Sequence, residues 1–135
     1  MYGILHIVGT PIGNLNDMSD RARQVLSEVH LIAVEDTRVS RKILKKFSID
    51  NKMVVYNNFN ESKQVNKIVD LLKEGNNIAL ISDAGTPCIS DPGYRIVNIA
   101  RKKHINVITI PGPSSVIAAI SISGLPTDNF FYQGV

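Results

Sequence analysis

The stretch Ile78-Ala79-Leu80-Ile81-Ser82-Asp83-Ala84-Gly85-Thr86-Pro87-Cys88-Ile89-Ser90-Asp91-Pro92-Gly93 decides how this chain is read. Its first four residues are an apolar run of the length of a buried strand, and a helical pattern begins at Tyr94. Between the two lies a loop of small and turn-forming residues. Open α/β sheets build their ligand sites in such loops, at the carboxyl ends of strands. Gly85 and Gly93 open backbone conformations closed to other residues, while Pro87 and Pro92 fix φ and remove donors. A plain connection between a strand and a helix takes roughly two to six residues. This one is longer, carries Asp83 and Asp91, and reads as a binding loop.

Working outward, apolar runs and amphipathic segments alternate along the whole chain. Strands are expected at Ile4–Val8, Leu31–Val34, Met53–Tyr56, Ile78–Ile81 and Val107–Ile110. A helix from about Ser19 to Val29 has Asp17 or Ser19 as N-cap and Ala22, Val25, Leu26 and Val29 on its apolar face. The next, near Val39 to Phe47, buries Val39, Ile43, Leu44 and Phe47. Asn60 caps a third, whose core face is Val65, Ile68, Val69 and Leu72 and which Gly75 stops. For the fourth, Asp91 is expected as cap with Pro92 at the first helical position, and Arg101, Lys102 and Lys103 suit the dipole of the last turn. A last helix over Ser114–Ser123 is apolar nearly all round and is expected to be central.

Five strands each followed by a helix give the fold class: α/β, a five-stranded parallel sheet with helices on both faces. Phe130-Phe131-Tyr132-Gln133-Gly134-Val135 begins a further strand-like run. Residues 1–126 are therefore expected to be an N-terminal domain. Residues 127–135 would begin the linker or strand leading to a C-terminal domain outside this sequence.

At 135 residues the chain is long enough for one real core. With 44% hydrophobic and 20% charged residues it is an ordinary globular sequence, which excludes disorder. A net charge of +3 and a pI near 9.1 are compatible with a nucleic-acid partner without demanding one. Cys88 is the single cysteine, so no internal disulfide forms, and with three scattered histidines it offers no zinc site. His6, His30 and His104 are read as structural or surface residues. No apolar run reaches transmembrane length, and a cytoplasmic location is expected.

In a parallel sheet the loops after strands one, four and five, Gly9–Leu15, Ser82–Gly93 and Pro111–Ser115, open on one edge. Any one of them alone is ordinarily a structural turn; three on one edge point to a ligand. None has the G-x-G-x-x-G dinucleotide spacing or a Walker Gly-Lys-Ser/Thr. Asp83 can accept hydrogen bonds from a ligand amine or ribose. Ser114 and Ser115 open a helix, where N–H groups attract an anion, or simply cap it. Cys88 reads as a packing residue rather than a nucleophile. Glu35-Asp36-Thr37-Arg38 ends strand two, and Arg41, Lys42, Lys45 and Lys46 follow, either as a solvated helix face or as a phosphate-binding strip.

Gly9-Thr10-Pro11-Ile12-Gly13-Asn14-Leu15 with Asp17 and Ser19, Glu35-Asp36-Thr37-Arg38, Ser82 to Gly93, Pro111-Gly112-Pro113-Ser114-Ser115 and Ser123-Gly124-Leu125-Pro126 together resemble the ribosomal RNA small subunit methyltransferase I family. That family belongs to the tetrapyrrole methylase superfamily, the class III S-adenosylmethionine methyltransferases. The resemblance spans essentially the whole chain, with the motifs in order. Tetrapyrrole-modifying relatives typically carry Gly-Asp-Pro where this chain has Gly85-Thr86-Pro87, and their first loop reads differently. Both differences favour the ribosomal RNA branch.

The resemblance implies S-adenosylmethionine-dependent 2′-O-methylation of a cytidine ribose in 16S ribosomal RNA of the small subunit. It further implies a donor cleft between two α/β domains, a homodimer, and no metal. Carried over by position, the donor-binding residues are Pro11; Asp83, Ala84, Gly85, Thr86 and Ile89; and Ser114 and Ser115. Asp36 is assigned as proton acceptor or hydroxyl-orienting group and Arg38 as a phosphate contact, from their polar clustering within the family motif. The alternatives are a tetrapyrrole-precursor methyltransferase, or a nucleotide- or RNA-binding module without catalysis.

Overall fold

The structure, a computed structural model, describes residues 1–135. Its strands are β1 (Leu5–Val8), β2 (Leu31–Val34), β3 (Met53–Val55), β4 (Ile78–Leu80) and β5 (Val107–Ile110). Its helices are α1 (Asp20–Glu28), α2 (Thr37–Lys46), α3 (Glu61–Lys73), α4 (Tyr94–Lys102) and α5 (Ser115–Ser121), with a short 3-10 turn at Leu15–Asp17. All strand pairs are parallel, in the order β3-β2-β4-β1-β5. No helix is long and apolar enough to cross a membrane.

That order explains the helix placement. From β1 the chain steps outward to β2 and β3, then returns across the sheet to β4 and β5. Crossovers of one hand put helices made in opposite directions on opposite faces. Side chains alternate along each strand to supply both layers. Leu5, Ile7, Ile78 and Leu80 pack with Val65, Ile68, Val69 and Leu72 of α3 and Ile96 and Ala100 of α4. Val8, Ala79 and Ile81 pack on the other face with Ala22 and Leu26 of α1 and Ile43 and Leu44 of α2. β4 lies between β1 and β2, whose outgoing helices occupy the face opposite its own. The carboxyl end of β4 is therefore the switch point of the sheet, where open α/β folds leave a crevice.

Local signals hold at most boundaries. Ser19, rather than Asp17, caps α1, its Oγ accepting from the Ala22 N–H at 3.0 Å. Gly75 follows the C-cap of α3 with φ of +99°. Asn60 stands at the N-cap position of α3 without capping it. Its Oδ1 accepts from the Asn57 N–H and its Nδ2 donates to the Val55 carbonyl, so it closes the β3–α3 turn instead.

Three expectations are corrected. Asp91 does not cap α4, and Pro92 is not its first helical residue. Gly93 takes the cap position with φ of +132°, and α4 starts at Tyr94. A Cβ at residue 93 would meet Cys88 Sγ at 2.6 Å and Leu80 Cδ2 at 2.9 Å, so the turn is built on glycine's missing side chain. The Gly93 N–H donates at 3.3 Å to Oε1 of Glu61, a carboxylate borrowed from α3. Second, α5 is peripheral rather than central: no residue of it is buried, and Ile117 is 55% exposed. Apolarity all round signals cover, and none of the elements in residues 1–135 supplies it. Third, Phe130–Val135 forms no strand, since it pairs with no neighbour; only the Tyr132 hydroxyl reaches back, 3.0 Å from Ser90 Oγ.

Candidate functional site

The loops leaving β1 and β4 are joined by backbone. Thr10 and Gly85 form an antiparallel bridge, with the Thr10 N–H donating to the Gly85 carbonyl at 3.0 Å and the Gly85 N–H to the Thr10 carbonyl at 3.1 Å. The Thr10 hydroxyl, fully buried, lies 3.3 Å from the Ser82 and Gly85 carbonyls. Gly9 and Gly112 touch backbone to backbone, which brings the β5 loop against the β1 loop. The three loops thus meet on one edge, as the strand pattern requires.

At the end of β2 stands a second cluster. Asp36 caps α2 through the Arg38 N–H at 2.8 Å, and its carboxylate is forked by the Arg38 guanidinium at 3.2 and 2.8 Å. Arg38 thereby holds the Asp36 carboxyl below the usual carboxylate range. The Asp36 N–H donates to Asp83 Oδ1 at 3.2 Å, tying the end of β2 to the β4 loop. Beside them Glu35 shares a hydrogen bond with the Asp83 carboxylate. Burial, that hydrogen bond, and the charges of Asp83 and Asp91 raise Glu35 to about 7, so near neutrality it holds or releases a proton. Burial and the Asp83 charge also raise Asp91.

Between the β1 loop, the β4 loop and the start of α5 opens a cleft of about 390 Å³. Ala84, Gly85, Thr86, Ile89, Ser114 and Ser115 line it together with Ile12, Asp91, Val116 and Tyr132. Of the residues predicted to hold the donor, these six come together. Pro11 and Asp83 do not; they line a neighbouring depression of about 450 Å³ bounded by α2. Cys88, backing the β4 loop with φ of +78°, has its thiol pushed up to about 11 by burial and the charges of Asp91 and Glu61. The raised thiol fits the packing role read from the sequence. No group of three or more His, Cys, Asp or Glu side chains is arranged to hold a metal ion.

The sequence pattern of the Tetrapyrrole (Corrin/Porphyrin) Methylases matches residues 4–133. The chain belongs to this family. As a class, these methylases transfer methyl groups from S-adenosylmethionine. Among curated relatives, ribosomal RNA small subunit methyltransferase I of Vibrio cholerae is 50% identical over 131 residues, covering 97% of this chain and 46% of that protein. The protein of the same name from Xylella fastidiosa is 48% identical, covering 98% of this chain and 48% of its own length. That from Thermotoga maritima is 46% identical, covering 98% of this chain and 60% of its own length. The chain thus spans about half the length of most curated relatives it matches. In solved structures the same fold occurs in uroporphyrin-III-C-methyltransferase from Thermus thermophilus, with TM-score 0.69 at 21% identity, covering 93% of this chain and 55% of that one. It also occurs in diphthine synthase, with TM-score 0.73 at 17% identity, covering 92% and 50%.

Two residues of this site had no role assigned from sequence. Glu35 was visible only as one member of a polar cluster, because its distinguishing feature is a contact with Asp83, 48 positions away. Glu61 stands in the first turn of α3, where any acid suits the helix dipole, so nothing local sets it apart. In the fold it accepts from the Tyr56 hydroxyl at 2.8 Å as well as from Gly93, and so braces the far end of the β4 loop.

Proposed function

We propose that this chain is the donor-binding half of an S-adenosylmethionine-dependent ribosomal RNA 2′-O-methyltransferase, acting on a cytidine of 16S RNA as a cytoplasmic homodimer. Residues 1–126 are its N-terminal methylase domain, and residues 127–135 lead toward a second domain. The observation that carries this reading is the 390 Å³ cleft at the switch point of a tetrapyrrole methylase sheet. The names of relatives 46–50% identical over nearly the whole chain favour RNA as acceptor.

The cleft suits the donor. A Cβ at Gly85 would project between Ile12 Cγ2 at 3.5 Å and the Pro113 carbonyl at 3.8 Å, so glycine keeps a cradle open between the loops. Asp91 offers negative charge to the cationic groups of the donor, and the first N–H groups of α5 lie beside Ser115 and Val116 for its carboxylate. When bound, S-adenosylmethionine supplies an electrophilic methyl carbon on a sulfonium. The chain's task is to hold a ribose hydroxyl in line with that carbon and to accept its proton. Asp36, kept anionic by Arg38, orients the hydroxyl. Glu35, raised to about 7, is the better proton acceptor of the two adjoining carboxylates. Arg38 spends Nε and Nη2 on Asp36 and, 85% exposed, presents Nη1 to a backbone phosphate.

The test is calorimetric titration of S-adenosylhomocysteine into the chain, with ATP as control and Ser115→Trp as a variant that fills the cleft. Saturable binding to the wild type alone, with ATP inert, is expected. Absent binding, or binding unaffected by the tryptophan, refutes the donor site. In the full-length protein, methyl transfer to isolated small ribosomal subunits and not to uroporphyrinogen is expected; the reverse establishes the macrocycle as acceptor.

A further inference from the structure

We propose that the second depression, between the β1 loop and α2, seats the unstacked nucleobase of the acceptor nucleotide. This inference rests on the RNA reading above. The depression, of about 450 Å³, adjoins the donor cleft, since Ile12 and Ala84 line both. Its walls are Pro11 and Leu15 on one side and Val39 and Ile43 on the other, with Asp83 and Lys42 as its polar groups. An RNA base taken out of its stack needs apolar contact on its faces and a hydrogen-bond partner for its edge. The depression supplies both.

The polar groups specify which edge. Asp83 accepts from the Asp36 N–H on Oδ1 and shares a hydrogen bond with Glu35, and its carboxylate, with lone pairs to spare, lines the depression. A carboxylate accepts from an exocyclic amino group, which cytosine carries where uracil presents a carbonyl, so it favours cytosine over uracil. Lys42 is exposed and takes part in neither of the chain's ion pairs, which join Arg23 to Asp20 and Arg38 to Asp36. It stands four residues from Arg38 on α2, so the two cations share a face beside the opening. Arg41, Lys45 and Lys46 continue the positive charge along the helix. A base in the depression would have its flanking phosphates against this strip.

The experiment uses the isotope-labelled chain and two RNA pentamers of uridines, one with cytidine at the centre and one with uridine throughout. S-adenosylhomocysteine is titrated in parallel. The cytidine pentamer is expected to shift the amides of Leu15, Val39 and Ile43 and to bind about tenfold more tightly than the uridine pentamer, the effect of one base-edge contact. Val39→Trp, which fills the depression, should abolish that preference while S-adenosylhomocysteine still binds. Lys42→Glu, at an exposed position that does not threaten folding, should weaken both pentamers about tenfold or more. Equal affinity for the two pentamers, shifts confined to Ser114–Val116, a preference surviving Val39→Trp, or no RNA binding would each overturn the proposal. If S-adenosylhomocysteine binds in those cases, the donor reading stands and only the base seat falls. If it does not bind either, the parent reading falls with it.

Discussion

Replacing Gly9 with alanine tests the reasoning about how the loops are held together. The added Cβ would lie 2.8 Å from Gly112 Cα and 2.9 Å from Gly112 N, where ordinary contacts begin near 3.4 Å. Both sides of this contact are main chain, so no rotamer change relieves it. The ends of β1 and β5 must part by about half an ångström, loosening the 3.1 Å hydrogen bond from the Gly9 N–H to the Ile110 carbonyl. Overpacking of this kind costs about 1–3 kcal/mol, and with two backbones opposed the expected value is about 2 kcal/mol. In urea that corresponds to a midpoint lowered by about 1 M. The same displacement moves Pro113 and Ser114 away from Ile12, so affinity for S-adenosylhomocysteine should fall as well. Gly112→Ala meets the reciprocal clash, 2.9 Å from Gly9 Cα, and should behave alike. Once either alanine has forced the strands apart, the second costs less, so the double variant should fall short of the sum. An unfolding midpoint within about 0.2 M of wild type, together with undiminished ligand binding, would refute the account.

Two further perturbations probe the carboxylates. Glu35 keeps its proton in the fold up to about pH 7, against an ordinary value of 4.5. Its contribution to stability is therefore complete below 4.5 and lost as pH rises through about 7. A rise of that size would amount to about 3 kcal/mol if fully expressed, and screening of this partly exposed group reduces it to about 1 kcal/mol. Asp83 and Asp91 are the acids facing it, with Arg38 exposed nearby; Glu35→Gln should flatten the decline in urea midpoint over this range, whereas parallel wild-type and variant curves would remove Glu35 from the account. Glu61→Ala strands the buried Tyr56 hydroxyl and the Gly93 N–H, costing about 1–3 kcal/mol. Hydrogen exchange at Gly93 to Val97 should accelerate relative to the β1 amides, and unchanged protection there would show that Glu61 does not brace the loop.

The sheet was legible because its strands are short apolar runs and its helices carry one apolar stripe each. Val65, Ile68, Val69 and Leu72 share a face at helical spacing and are buried together. Strand order was not legible, because the parallel pairing of β1 with both β4 and β5 joins segments about 70 and 100 positions apart. The start of α4 misled for a specific reason. An Asp-Pro pair is a sound local helix start, but the contact of Gly93 with Leu80 and Cys88 decides the backbone there. Local rules likewise gave α5 the composition of a core helix without the elements that would cover it. At the site, the loops were readable from their turn residues. Glu35 was not, since its raised proton affinity comes from burial and from a carboxylate on another strand's loop, both products of the fold.

The bridge between Thr10 and Gly85 has a consequence for how this site can change. Its two hydrogen bonds run between main-chain atoms, so they are indifferent to the side chains on either side. Residues 11, 12, 84 and 86 project from a frame that their own identity does not determine. Substitutions there can recast what the two depressions admit while the loops keep their spacing. The site is a fixed chassis with exchangeable fittings, and a new acceptor specificity could be reached one side chain at a time without rebuilding the backbone.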